Sequence, residues 1–106
     1  MANELAPVRF FRFDSGRENV REWLQGLDQD ARRGIGEDVK TVQLAWPIGM
    51  PLVRKLGDDL WEIRSSIRGG PARTIFTLQA ATIVLLHGFV KKSQKTPKDD
   101  LRLAKR

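Results

Sequence analysis

The densest polar constellation with one sign of charge is residues 87–98, HGFVKKSQKTPK, where Lys91, Lys92, Lys95 and Lys98 follow directly on an apolar segment. Ammonium groups this close repel one another and lower each other's proton affinity, the condition under which a lysine serves as a base or proton shuttle near neutral pH. Upstream, Arg64 and Arg73 fall in two segments that read as facing strands, so their guanidiniums can clamp one phosphate. Together these groups suit cleavage of RNA without a metal. A base takes the proton of a 2′-hydroxyl, the freed oxygen attacks the adjacent phosphorus, and the cations stabilise the charge that develops. His87, the only histidine, is a further candidate for moving protons. It also alternates with Ile83, Leu85 and Phe89, so its ordinary reading is a histidine at the edge of the core. The candidate catalytic set is therefore Arg73, Lys92, Arg64, Lys91 and His87, with Arg54, Lys55, Arg68, Lys95 and Lys98 as RNA-binding cations.

Other chemistries are poorly served. With no cysteine, thiolate metal sites, disulfide scaffolds, CxxC redox chemistry and a thiol nucleophile all drop out. A single histidine excludes a two-histidine metal site. In the second half Asp58, Asp59, Glu62, Asp99 and Asp100 lie in loops or among cations, too dispersed for a two-metal nuclease, so neither metal nor cofactor is expected. Charge is uneven: residues 1–53 hold seven Lys/Arg and eight Asp/Glu, whereas residues 54–106 hold twelve and five. A cationic half of that kind attracts a polyanion, nucleic acid above all, although a solvated basic surface is the bland alternative. The 106 residues fit one domain, 1–106. The longest apolar run, Ile83 to Leu86, is far short of the ~20 residues that span a bilayer. Met1 to Glu4 carries no signal-like start, so a soluble cytoplasmic protein with no membrane partner is expected.

The elements that must position these residues follow from local patterns. Val8 to Phe13 (VRFFRF) predicts a strand closed by Asp14-Ser15-Gly16. Ser15 and Glu18 match a capping box, followed by Val20, Trp23, Leu24 and Leu27 at helical spacing. Asp28 caps a second helix with the apolar stripe Ile35, Val39, Val42 and Trp46, which Pro47 stops. Pro47 to Asp59 reads as a loop carrying the basic step Arg54-Lys55. In Leu60 to Ile67 the period changes to two, with Trp61, Ile63, Ser65 and Ile67 on a core face and Leu60, Glu62, Arg64 and Ser66 on a polar one. A turn at Arg68-Gly69-Gly70-Pro71 returns the chain as Ala72 to Gln79, completing a hairpin, and Thr82 to Val90 is a central strand. Thr96-Pro97 with Asp99 starts a terminal helix docked by Leu101 and Ala104. The expected fold is α+β: two N-terminal helices and a C-terminal helix packed on a small, mainly antiparallel sheet, in the order β-α-α-β-β-β-α.

The stretch from Leu52 to Pro97, with KLGDDLWEIR, ARTIF and IVLLHGFVKKSQKTPKDDL, resembles the phage-derived branch of the HigB/RelE toxin superfamily, HGFVKKSQKTP being its most specific part. The resemblance implies a RelE-like fold and the toxin of a type II toxin–antitoxin pair. Such a toxin is a ribosome-dependent mRNA endoribonuclease that inhibits translation and is silenced by a helix-turn-helix, HigA-like antitoxin in a hetero-oligomer. By the same resemblance Arg73 matches an arginine that contacts the scissile phosphate. Arg64 matches a basic strand position, and Lys91 or Lys92 the basic residue after the last strand. Two departures stand out: Glu62 replaces a lysine of RelE-type members, and the chain has no tyrosine. They motivate the alternative of a catalytically degenerate protein that binds nucleic acid or antitoxin. A DNA-binding transcription factor is disfavoured, because the two consecutive helices lack a basic recognition face.

Overall fold

A computed structural model describes residues 6–91. In chain order the elements are β1 (Val8–Phe10), α1 (Asn19–Gln25), α2 (Gln29–Ala45), β2 (Val53–Gly57), β3 (Leu60–Ile67), β4 (Gly70–Gln79) and β5 (Thr82–Val90). The strands form one sheet in the order β1-β5-β4-β3-β2. From β2 to β5 they make an antiparallel meander, and β1 joins the far edge parallel to β5, so the sheet is mixed.

This corrects the expected fold. Val53–Gly57 is not loop but a strand, paired with β3 through Val53↔Ile63 and Arg54↔Glu62. Pro47 and Pro51 both precede it and the turn at Asp58-Asp59 follows it, with Asp59 at φ 57°, so the breakers frame a short strand instead of abolishing it. The order among the described residues is β-α-α-β-β-β-β, mostly strand with both helices N-terminal, and the expected β-α-α-β-β-β-α arrangement does not hold. The terminal helix predicted from Thr96 lies outside the described residues. Neither described helix is long and apolar enough to cross a membrane.

α2 forms as its sequence dictates: Asp28 Oδ1 accepts from Ala31 N–H at 2.8 Å, Ile35 and Val42 are buried, and the helix ends one residue before Trp46-Pro47. At α1 the capping box does not form. Ser15 Oγ instead accepts from Arg17 N–H, while Glu18 pairs with Arg12 and Arg21, leaving the helix without a side-chain cap.

The principal core lies between the helices and one sheet face, built on Val20, Val42, Val53, Ile63, Phe76, Ile83 and Leu85. Trp46, Trp61 and Phe76 pack together there with ring centroids 5.3 to 5.8 Å apart. α1 lies close on β5 because Gly88 leaves room: a Cβ at that position would stand 2.1 Å from Trp23 Cε3. The opposite sheet face has a smaller apolar cluster, Leu60 and Ile75 with Leu56, Leu86 and Phe89 packed against them.

Candidate active site

The second sheet face carries the cations. In β3 the alternation that puts Trp61 and Ile63 under the helices sends Leu60, Glu62, Arg64 and Ser66 to the other side. Register then sets the partners: Arg54 on β2 stands opposite Glu62, and Arg64 opposite Arg73 on β4. Directly opposed residues share a face, so backbone pairing places the two arginines at neighbouring positions on the same side of the sheet. Lys91 follows β5, with its backbone N–H donating to Pro71 O at 2.6 Å, which ties the ammonium-bearing residue to the start of β4.

His87 sits on this face, contrary to the expected alternation with Ile83 and Leu85. The register shifts between Ile75 and Phe76: Phe76 pairs with Leu85, but Ile75 pairs with His87. Leu86 is the extra residue of the bulge, and one inserted residue flips everything after it to the other face. Asn19 Nδ2, at the start of α1, donates to Leu86 O at 2.9 Å and so satisfies the displaced carbonyl. His87 therefore lies beside Phe89, centroids 5.8 Å apart, with Phe89 opposite Arg73.

At the centre is Glu62, fully buried. Arg64 Nη1 donates to its Oε1 at 3.3 Å, and Arg73 Nε lies 3.8 Å from the same oxygen. Arg73 is itself only 6% exposed; its Nη1 donates to Ala72 O at 3.0 Å, and its Nε has no hydrogen-bond acceptor among the described residues. Burial, first, and then the charge of Arg64 and Arg54 push the Arg73 guanidinium below its usual range against the pull of Glu62. It stays protonated nonetheless, as arginine does in proteins. Lys91 is also buried. Its ammonium is held below the usual lysine range chiefly by burial, then by Arg73, with Arg64 and Arg54 adding and Glu62 opposing.

Beside the arginines a cavity of about 420 Å³ is lined by Pro51, Leu52, Arg64, Ser66, Pro71 and Arg73. Its size falls within the ~300–1,000 Å³ of small-ligand clefts. Two guanidiniums beside Ser66, with Pro51, Leu52 and Pro71 completing the lining, can hold a phosphate.

The structure thus gathers Arg64, Arg73, Lys91 and Arg54 around Glu62, with His87 on the same face. Lys55 pairs with Trp61 and belongs to the other face, and Arg68 is exposed at the β3–β4 turn. Lys92, Lys95 and Lys98 lie outside the described residues. Sequence reading left Pro51, Leu52, Ser66 and Pro71 out of the site. Ser66 and Pro71 are recoverable from hairpin register, since they stand opposite each other two residues beyond the arginine pair. Among the described residues no group of three His, Asp or Glu side chains could hold a metal ion.

The fold is a small mixed sheet with helices on one face and clustered cations on the other. Family comparison goes further: the profile of the phage-derived protein Gp49-like family (DUF891) matches residues 22–106, and the chain belongs to that family, one of the RelE-like toxin group. A search of curated proteins finds no match.

Proposed function

We propose that the protein is an mRNA endoribonuclease, the toxin of a type II toxin–antitoxin pair of HigB type, acting on the ribosome in the cytoplasm. The observation that supports it best is the buried Arg73 guanidinium, paired in register with Arg64, sharing one cavity with it and keeping Nε without an acceptor among the described residues. A buried guanidinium lining a cavity, with a single hydrogen bond to protein, suits an anionic ligand, here the scissile phosphate. In this reading Arg64 and Arg73 hold the phosphate oxygens. The 2′-oxygen bonds to phosphorus as the bond to the 5′-oxygen breaks, leaving a 2′,3′-cyclic phosphate and a 5′-hydroxyl. The 2′-hydroxyl proton passes to a base, and the departing 5′-oxygen receives one. Lys91, whose buried ammonium gives up its proton more readily than usual, and His87 are the candidates for these transfers. Arg54 adds cationic field at the rim, and the partners are a translated message, the ribosome and a helix-turn-helix antitoxin.

A second reading, a degenerate protein that binds nucleic acid or antitoxin without cutting, is favoured by the carboxylate of Glu62 in the middle of the cluster. Inducible expression followed by primer extension on a translated message separates the two. The enzyme reading expects new message ends and growth arrest, both suppressed by co-expression of a cognate helix-turn-helix antitoxin. Intact message at full expression leaves the binding reading.

A further inference from the structure

A carboxylate on the polar stripe of a strand is ordinarily solvated, yet Glu62 has no exposed surface. Burying an ionised carboxylate is unfavourable unless charged partners surround it, and Glu62 has them on each neighbouring strand of its face. Arg54 stands opposite on β2, Arg64 bonds it from β3, Arg73 approaches it from β4, and Lys91 follows β5. His87 is the remaining titratable group that β5 brings to this face, while the helices cover the other. The arginines show why the carboxylate is needed. Arg64 and Arg73 are directly opposed, an arrangement that like charges destabilise. A single oxygen, Oε1, lies 3.3 Å from one guanidinium and 3.8 Å from the other and offsets that repulsion.

We propose that Glu62 is the positioning residue of this site: its buried carboxylate gathers the Arg64 and Arg73 guanidiniums onto one wall of the cavity, so that both present donors to the same phosphate. The inference rests on the phosphodiester reading of the site. Glu62 lies beneath the arginines with its charge engaged by them, and it takes no proton in the reaction. Among the described residues four cations, Arg54, Arg64, Arg73 and Lys91, stand around this carboxylate.

Charge alone and positioning predict opposite results. Glu62→Gln removes a negative charge of nearly identical shape, so simple electrostatics makes the variant bind inorganic phosphate more tightly. Positioning makes it bind more weakly, because the guanidiniums part. The test is an NMR titration of the full chain with inorganic phosphate at pH 7, alongside the Arg64 and Arg73 Nε–Hε signals and the Lys91 side-chain titration. The expected outcome for Glu62→Gln is about a tenfold loss of phosphate affinity, displaced arginine signals, and a Lys91 that releases its proton at lower pH than in the wild type. Message cleavage falls about 10- to 100-fold, as when oriented groups lose their placement. Glu62→Asp, which keeps the charge but shortens its reach, restores the Lys91 titration while still binding phosphate less tightly than wild type. Equal or tighter phosphate binding by Glu62→Gln overturns the proposal; should that variant not fold, wild-type affinity in Glu62→Asp overturns it instead. If wild-type protein cuts no message but Glu62→Gln still loses phosphate affinity, the positioning role stands and the endonuclease reading falls.

Discussion

Replacing Arg73 with alanine separates catalysis from folding more cleanly than burial suggests. The side chain makes one hydrogen bond to the backbone, Nη1 to Ala72 O, and a 3.8 Å approach to Glu62. Losing the hydrogen bond costs about 1 kcal/mol. Against this, the variant removes a buried cation repelled by Arg64 and Arg54 and crowding Lys91. Glu62 is not abandoned, because Arg64 still donates to it at 3.3 Å. Truncating so buried a side chain also loses the packing of its stem, so the net loss of stability is about 1–3 kcal/mol, at roughly 4–8 °C of melting shift per kcal/mol for a domain of this size. Activity behaves differently. Removing one preorganised donor to a developing oxyanion costs about 10²–10³-fold, or roughly 3–4 kcal/mol. Cleavage of a message on programmed ribosomes, read by primer extension, is expected to fall by that factor, while the calorimetric melt remains a single cooperative transition. Lys91 in the variant should also hold its proton to higher pH, since the second cause of its depression is gone. Cleavage at the wild-type rate would remove Arg73 from the mechanism. Collapse of the melt would show that its role is structural.

Three further outcomes test the surrounding fold. Gly88→Ala drives a Cβ into Trp23 and is expected to destabilise by about 1–3 kcal/mol or more, visible as a lower denaturation midpoint; an unchanged midpoint refutes the close approach of α1 to β5. Lys91 has a folded proton affinity below its unfolded one, so its contribution to stability is complete above the unfolded value near 10.5 and is lost as pH falls through the folded value. Lys91→Met should accordingly melt no lower than wild type at neutral pH and show a flatter rise in melting temperature toward pH 10. The β4–β5 turn holds Ala80 and Ala81 at φ 49° and 63°, which Asn-Gly adopts more readily. Replacing the pair with Asn-Gly is expected to stabilise by about 1 kcal/mol or more without altering cleavage; a lower melting temperature contradicts the turn geometry.

Much of this arrangement was legible in the chain. The two-residue period of Leu60–Ile67 gave both faces of β3, and the turn signal at Arg68-Gly69-Gly70-Pro71 gave the hairpin; the turn itself is only Arg68-Gly69, with β4 starting at Gly70, and that shorter turn sets the register that opposes Arg64 and Arg73. Asp28 and Pro47 bracketed α2 because a cap and a breaker act locally. Other features depend on partners that no local pattern names. β2 is short and preceded by two prolines, and it is a strand only because β3 supplies its hydrogen bonds. The bulge at Leu86 leaves no mark in an apolar run, yet it decides that His87 faces the cations and not the core. The Ala80-Ala81 turn carries no turn chemistry of its own and is imposed by the strands it joins. Glu62 reads only as one residue of the polar stripe of β3, because nothing local shows that Arg73 and Lys91 come to lie around it and that it is buried.

The central claim is that these cations break a phosphodiester through the neighbouring 2′-hydroxyl. It is tested most directly by presenting the full chain with ribosomes carrying a message that has a single 2′-deoxynucleotide at the mapped cut site. The account predicts that the ribose message is cut to a 2′,3′-cyclic phosphate and a 5′-hydroxyl, and that the deoxy message stays intact at that position. Cleavage of the deoxy message at an undiminished rate would contradict it.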